Sequence, residues 1–378
     1  MRNYTEHELL RLAKCFHDTK RTYLLVDPLQ GKHLPVKPSD AMGMLRSFGQ
    51  LVSEKYPETK LVIGFAETAT AVGMAVAEEM PEDCIYIHTT RDNILQESEW
   101  IEFREEQSNA TDQRLLASHL TKWFANTETI VFVDDEISTE ETIINYIEQL
   151  KKKYPEINKK KLVAASIIDR TTKEDHEKMV ADGIESISLI KPDETESDFS
   201  KSVEKYDICE ADEINEKIGV GRYESLSSRV NLMNPRLGVN TREYVENCKM
   251  FAYDYVIQEK LAEECDCSSI LILGTEECMY PAIVLGEIIE KNTKANVYTY
   301  STTRSPIGIC RADGYPIKSG YRIKSFYAGD KKSYIYNLKK YDMVIVVTDS
   351  ERDSFCERHS LIEALFKERN EKVVLYRG

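Results

Sequence analysis

Two consecutive acids, Asp134 and Asp135, follow the apolar run Ile130-Val131-Phe132-Val133 and precede a polar turn. The run predicts a buried strand that carries both carboxylates to its carboxyl end, the edge of an open α/β sheet where ligands bind. At this spacing the two carboxylates can accept hydrogen bonds from vicinal hydroxyl groups. The pattern therefore predicts a site for a ligand with a diol, and the alternative is a solvated strand end that leads into a helix.

The turn after these acids contributes five residues that could hold an anion. Backbone N–H groups at a helix start form an anion cradle, and hydroxyl groups can reinforce it. The carboxylates of Glu140 and Glu141 oppose this, since one carboxylate about 6 Å from one phosphate charge costs about 3 kcal/mol at an effective dielectric of 20. If both point outward, the cradle can still bind a phosphate. The five residues are Ser138, Thr139, Glu140, Glu141 and Thr142.

The elements that must position this site alternate between strands and helices. Runs of β-branched and aliphatic residues separated by helical spacing indicate parallel sheets covered on both faces. In the first half we predict strands at residues 24–26, 61–64, 84–88, 130–133 and 162–168. Ser39 or Asp40 is the expected N-cap of the helix that follows the first of them.

The second half repeats three features of the first half in the same order. Residues 61–67 parallel 271–277, residues 85–91 parallel 298–304, and Val133-Asp134-Asp135 parallels Val347-Thr348-Asp349. We therefore predict an α/β protein with two parallel-sheet α/β domains and an internal duplication, the second a Rossmann-like α/β unit. The expected domains are 1–190 and 230–378, with an acidic linker at 191–229.

Composition excludes several function classes. The 378 residues carry a net charge of −15, which makes nucleic acid an improbable partner. No apolar run approaches the ~18 residues of a membrane span, and the start does not resemble a signal peptide. Nine scattered cysteines form neither a disulfide framework nor a zinc pattern. We expect a cytoplasmic protein with small-molecule partners, and a homodimer remains open.

The segment Ile130–Thr142 resembles the phosphoribosyl-diphosphate (PRPP) motif of type I phosphoribosyltransferases. His88-Thr89-Thr90-Arg91, Phe103–Thr111 and Thr303-Arg304-Ser305-Pro306 together resemble one subgroup, found in tellurite-resistance (stress-response) gene clusters, whose C-terminal domain is named TRSP after that tetrapeptide. The resemblance covers nearly the whole chain. It departs from the family at Glu140, where Gly is usual, and at Gln107 and Asn109, where the subgroup favours His.

The resemblance implies a type I phosphoribosyltransferase fold and a role for each matching residue. Asp134 and Asp135 would hold the ribose hydroxyls and, through PRPP, Mg²⁺, while the turn from Ser138 to Thr142 would hold the 5′-phosphate. Arg91 and Arg104 are the candidate catalytic residues. The segment from about 90 to 111 would close over the site. The pyrophosphate loop would consist of Ala66, Glu67, Thr68 and Ala69.

We therefore expect a Mg²⁺-dependent phosphoribosyltransferase that acts at the anomeric carbon of PRPP with a nucleobase-like acceptor, or in the reverse direction, in a stress-associated biosynthetic pathway. A non-catalytic PRPP or nucleotide sensor with a degenerate phosphate loop, or an interaction scaffold, is the alternative. The second half holds a further candidate site, which could shape the acceptor site, bind a second ligand or stabilise an interdomain contact. Its residues are Glu276, Glu277, Thr303, Arg304, Ser305 and Asp349.

Overall fold

A computed structural model describes residues 2–16, 22–92, 99–103, 113–138, 142–214, 223–261, 266–352 and 355–378. None of the helices in these ranges is both long and apolar enough to cross a membrane. The helices are α1 (Glu6–Leu9), α2 (Pro38–Lys55), α3 (Thr70–Glu78), α4 (Leu120–Ala125), α5 (Thr142–Lys153), α6 (Lys173–Ala181), α7 (Glu196–Glu204), α8 (Thr241–Gln258), α9 (Tyr280–Asn292) and α10 (Phe355–Lys367).

The strands alternate with these helices along most of the chain. They are β1 (Arg11–Lys14), β2 (Tyr23–Val26), β3 (Leu61–Gly64), β4 (Ile85–His88), β5 (Trp100–Phe103), β6 (Gln113–Leu116), β7 (Thr129–Ile137), β8 (Lys161–Asp169), β9 (Ile184–Ile190), β10 (Asp212–Glu213), β11 (Tyr223–Ser227), β12 (Val239–Asn240), β13 (Ser269–Gly274), β14 (Asn296–Ser301), β15 (Gly320–Lys324), β16 (Lys332–Tyr336), β17 (Met343–Thr348) and β18 (Val373–Arg377).

The chain forms two compact units whose residues interleave along the sequence. The first unit comprises residues 1–4, 43–193 and 233–246, and the second comprises 5–42, 194–232 and 247–378. The amino-terminal residues 5–42 thus pack with the second unit. The segment expected to be a linker contributes α7, β10 and β11 to the second unit.

The first unit is built on a six-stranded sheet in the order β12-β4-β3-β7-β8-β9. Strands β4, β3, β7, β8 and β9 run parallel, and only the short β12 at the edge is antiparallel. All four residues of β3 are buried, which is the pattern of a strand covered on both faces. The parallel sheet expected from the sequence is confirmed.

Strand β7 is longer than the apolar run predicts. It continues from Val133 through Asp134 and Asp135 to Ile137, because its neighbour β8 also extends and pairs with it as far as Asp169. The two acids therefore lie within the paired strand, and the polar turn begins only at Ser138.

Helix α2 begins at Pro38, two or three residues earlier than an N-cap at Ser39 or Asp40 would place it. Ser39 and Asp40 consequently lie in the first turn and not at the N-cap. Proline is favoured at the first helical position, since its missing N–H has no partner there in any helix.

The second unit is built on a five-stranded, all-parallel sheet in the order β11-β18-β17-β13-β14. Its central register repeats that of the first unit: Gly64 pairs with His88 and Val133, and Gly274 pairs with Ser301 and Val347. The duplication expected from the sequence is therefore visible in the backbone.

The two sheets differ in the strand that pairs with the outer side of β8 in the first unit and of its counterpart β18 in the second. In the first unit that strand is β9, which follows β8 in the chain, whereas in the second unit it is β11, which precedes all other strands of the sheet. Both pair parallel to their neighbour. Because β11 lies in residues 223–227, the second unit needs the segment expected to be a linker to complete its sheet.

Candidate functional site

The loop after β3 is positioned by close packing between β3 and α3. A Cβ on Gly73 would lie 3.1 Å from Cα of Gly64, so both glycines let the helix approach the strand. This closeness allows the Tyr86 hydroxyl to donate a 2.6 Å hydrogen bond to the carbonyl of Thr70 in the first turn of α3. The loop 65–69 is therefore fixed between a strand end and a helix N-terminus, where the helix dipole favours an anion.

The residues of this loop are mostly buried. Phe65 donates its N–H to the carbonyl of Val133, which ties the loop to β7. Ala66, Ala69 and the charged Glu67 are buried, Thr68 is half-buried, and the peptide bond between Ala66 and Glu67 is cis.

The end of β4 is joined to the same loop. The Ala66 N–H donates to Oγ1 of Thr89 over 2.8 Å, and Thr89 in turn contacts the side chain of Gln113 on β6. Thr90 forms a two-way backbone bridge to Arg114. Arg91, the next residue, is exposed. The sequence did not single out Gln113, whose contribution depends on the bridge between Thr90 and Arg114 of β6.

The paired acids of β7 face the loop after β3. Thr68 donates its hydroxyl to Oδ1 of Asp135 over 2.7 Å, and the Asp135 N–H donates to Oδ1 of Asp134 over 2.9 Å. Both aspartates are half-buried. The structure thus brings Asp134, Asp135 and Thr68 together at the carboxyl edge of the sheet.

A third consecutive acid, Glu136, is neutralised within the protein. Its carboxylate forms an ion pair with Arg170, which lies directly after β8, and both side chains are nearly buried. Nothing in the local sequence pattern marks this pair. Its only signal would have been the extended register of β7 and β8, which places Ile137 opposite Asp169.

Burial raises the pKa of Asp134 well above its usual range, and the neighbouring charge of Asp135 raises it further. The two carboxylates lie too close together for both to ionise freely without a cation. Asp134 therefore holds its proton more readily than an ordinary aspartate does.

This raised pKa predicts a pH-dependent stability. The folded protein holds the Asp134 proton to a higher pH than the unfolded chain, whose aspartates titrate at about 3.9, so the free energy of unfolding falls as pH rises through the folded pKa. In Asp134→Asn this loss should disappear, so that the variant gains stability relative to the parent as pH rises. Urea unfolding from pH 5 to 8 measures it, and parallel profiles for the two proteins would refute it.

The remaining residues predicted for the phosphate turn are only partly described. Ser138 is half-buried, and Thr142 is the first residue of α5. Thr139, Glu140 and Glu141 lie outside the described residues, as does Arg104.

The second unit repeats the loop and strand-end geometry of the first. The Glu276 N–H donates to Oγ1 of Thr302 over 3.0 Å, as Ala66 does to Thr89. Thr303 forms a backbone bridge to Tyr334, as Thr90 does to Arg114. The candidate residues of the second half therefore occupy positions equivalent to those of the first.

In the second unit, however, the carboxylate of Glu276 is buried and bonded to groups of the protein itself. It is 1% exposed, its Oε2 accepts a 2.5 Å bond from Nε of Arg304, and its Oε1 accepts from the Phe326 N–H over 3.2 Å. Its carbonyl accepts from Nζ of Lys32, a fully buried residue that sequence reasoning missed. Glu276 also adopts φ 44°, which is uncommon outside glycine.

The other candidate residues of the second unit make internal bonds as well. Asp349 accepts from the hydroxyl of Tyr327, and Thr348 stands where the first unit has Asp134. Thr303 accepts from the Ser305 N–H over 3.2 Å. Glu277 is buried, like the equivalent Glu67. The second unit therefore lacks the acid pair and carries a buried carboxylate beside Arg304.

Comparison with known proteins gives two family matches in sequence. Residues 9–190 match a family described as phosphoribosyl transferase, and residues 234–365 match the TRSP domain, described as the C terminus to that transferase domain. No curated protein matches the chain. A solved structure of adenine phosphoribosyl transferase from Trypanosoma brucei, in complex with AMP, pyrophosphate and ribose-5-phosphate, is similar at 12% identity and a TM-score of 0.35, over 50% of this chain and 80% of that chain.

Proposed function

Because the chain belongs to the phosphoribosyl transferases that carry a C-terminal TRSP domain, we propose that its first unit transfers the phosphoribosyl group of PRPP to a nucleobase-like acceptor, or catalyses the reverse reaction. The observation that carries this proposal is the 2.7 Å hydrogen bond between Thr68 and Asp135. It joins the loop expected to bind pyrophosphate to the acids expected to bind ribose, and these two groups are adjacent in PRPP.

We assign the roles by position at the carboxyl edge of the sheet. Asp134 and Asp135 would accept hydrogen bonds from the ribose hydroxyls, and the turn beginning at Ser138 would hold the 5′-phosphate. The loop 66–69 at the N-terminus of α3 would hold the pyrophosphate. Arg91 would stabilise its departing charge by charge-assisted hydrogen bonds.

The reaction asks little covalent chemistry of the protein. As the bond to the anomeric carbon breaks, positive charge grows on the ribose and negative charge on the pyrophosphate. Positioned groups of opposite charge can therefore supply most of the acceleration. Asp135 would lie next to the ribose, whereas the N-terminus of α3 and Arg91 would lie on the side of the leaving group.

The donor set fits a Mg²⁺ ion that is held mainly by the substrate. No group of three or more His, Cys, Asp or Glu side chains suited to a metal occurs in the part of the chain that the structure describes. Magnesium in phosphate chemistry is commonly held by one or two carboxylates together with substrate oxygens. Asp134 and Asp135 would hold it through PRPP, and the ion would neutralise diphosphate charge. Its positive charge would also favour ionised Asp134.

The test of this function is release of pyrophosphate from PRPP and Mg²⁺ across a panel of purine, pyrimidine and related nitrogen bases. Release with at least one base supports transfer. PRPP binding without pyrophosphate release for any base would favour a non-catalytic PRPP sensor. The acidic residues Glu140 and Glu141 of the turn are the reason for that alternative. Neither binding nor release would favour an interaction scaffold. The tellurite-cluster subgroup resembled by the sequence supports a stress-associated biosynthetic role, which acceptor identification would test.

We further propose that the second unit does not bind PRPP, since the Glu276 carboxylate already pairs with Arg304 and Thr348 replaces one acid of the pair. An added phosphate would meet a buried carboxylate in place of an open cradle. Isothermal titration should therefore give one PRPP per chain. Binding of two equivalents would contradict only the proposal that the second unit does not bind PRPP. No binding at all would contradict the proposed function itself.

A further inference from the structure

Thr89 lies directly after β4 and is fully buried. Its N–H donates to the carbonyl of Gly64 over 2.9 Å, so its backbone continues the pairing between β4 and β3. Its Oγ1 accepts the Ala66 N–H over 2.8 Å. The side chain of Thr89 therefore holds the start of the loop 65–69 against the sheet.

The single proton of this hydroxyl is used by a second buried side chain. Thr89 donates it to Oε1 of Gln113, the first residue of β6. A hydroxyl that donates in this direction presents its lone pairs to other donors, and here the donor is the Ala66 N–H. Gln113 thus fixes the orientation of the hydroxyl that holds the loop. Because all three residues are buried, removal of either side chain leaves a polar group without a partner.

Gln113 is itself held by the hairpin of β5 and β6. It pairs with Phe103, which is fully buried, and the next residue, Arg114, forms the two-way backbone bridge with Thr90. The backbone that carries Gln113 is therefore bonded on one side to β5 and on the other to the residue after Thr89. Gln113 reaches the hydroxyl from a fixed position.

The second unit contains the first part of this arrangement and not the last. The Glu276 N–H donates to Oγ1 of Thr302 over 3.0 Å, which is the counterpart of the loop bond in the first unit. The backbone bridges place Ser333 where the first unit has Gln113, and the Ser333 hydroxyl donates to the carbonyl of Thr303 over 3.1 Å. A loop bond of this kind therefore forms without a glutamine, and the fold alone does not account for Gln113.

We propose that Thr89 and Gln113 are positioning residues that hold the loop 66–69 in the conformation that binds the pyrophosphate group of PRPP, an inference that rests on the proposed function. Both act through the backbone of the loop. They fix the Ala66 N–H, and two residues later the Thr68 hydroxyl bonds the acid pair of β7. A shift at the start of the loop would therefore weaken binding of the pyrophosphate group and leave the ribose and 5′-phosphate sites in place.

The test compares two ligands by isothermal titration into the full chain. PRPP with Mg²⁺ needs the pyrophosphate loop, whereas ribose-5-phosphate does not. Thr89→Val keeps the shape of the side chain and removes the hydroxyl. It should weaken PRPP binding about tenfold, as one buried hydrogen bond does, and change ribose-5-phosphate binding by less than about twofold. Thr89→Ser, which keeps the hydroxyl, should bind PRPP nearly as tightly as the parent.

Two further variants separate this role from a general loss of structure. Thr302→Val removes the equivalent hydroxyl from the second unit and should leave PRPP binding unchanged. Gln113→Met should weaken PRPP binding by a factor similar to that of Thr89→Val. The double variant should bind PRPP no more weakly than Thr89→Val alone, because both changes break one series of hydrogen bonds.

Tight PRPP binding by Thr89→Val would overturn the inference and leave the proposed function standing. Equal weakening of both ligands would also overturn it, since it would show a loss of the whole site. Additive effects in the double variant would contradict the action of Gln113 through Thr89. A parent chain that binds no PRPP would contradict the proposed function itself, and this inference with it.

Discussion

Replacing Asp135 by Asn should lower the rate of pyrophosphate release from PRPP by about 100-fold or more. The carboxylate accepts the Thr68 hydroxyl, whereas burial raises the pKa of the neighbouring Asp134. Its loss would remove both the negative charge next to the forming positive charge on the ribose and the link to the pyrophosphate loop.

The matched control for this variant is Asp83→Asn, the same change at an exposed residue of the first unit. Asp83 is 62% exposed and forms an ion pair with Lys60. It lies just before β4 begins, at the opposite end of the parallel strands from the acid pair. Its release rate should stay within about twofold of the parent, since surface ion pairs contribute little. Equal rates for Asp135→Asn and the parent would remove Asp135 from the proposed site.

Replacing Glu276 by Gln should destabilise the second unit by about 3 kcal/mol or more, because it leaves the Arg304 guanidinium without its carboxylate in a buried place. The remaining amide oxygen cannot serve both Arg304 and the Phe326 N–H. Urea unfolding monitored at several wavelengths measures the change. Pyrophosphate release at temperatures well below unfolding should be unaffected, since the first unit holds the proposed site.

A double-mutant cycle separates this buried pair from a general loss of packing. Adding Arg304→Met to Glu276→Gln should recover part of the lost stability, because no unpaired charge then remains. Glu210→Gln, which breaks a more exposed pair with Arg322, is the control and should cost about 1 kcal/mol or less. Simple additivity of the Glu276 and Arg304 changes would show that the two side chains are not coupled.

The strands that carry the site could be predicted because they are continuous apolar runs. The run Leu61–Gly64 matches β3 at both ends, and the runs around Ile130 and Leu162 mark β7 and β8. Apolar content does not reveal how far two strands remain paired once their residues become polar. For this reason the acids were expected beyond β7 and lie within it.

The residues that could not be predicted act through contacts between distant segments. Lys32 is fully buried against the carbonyl of Glu276, more than two hundred residues away, and no local periodicity marks the loop that carries it. Arg170 and Gln113 likewise become significant only when the register of neighbouring strands is known. Residues 5–42 pack with the second unit, and composition does not reveal such packing between segments that are distant in sequence.

The most direct test of the proposed site is isothermal titration of PRPP, with and without Mg²⁺, into the parent chain and into the Asp134→Asn, Asp135→Asn double variant. We expect one equivalent to bind to the parent, more tightly with Mg²⁺, and binding to the double variant to be weakened at least about 100-fold. Undiminished binding to a folded double variant would contradict the assignment of PRPP to the acids of β7.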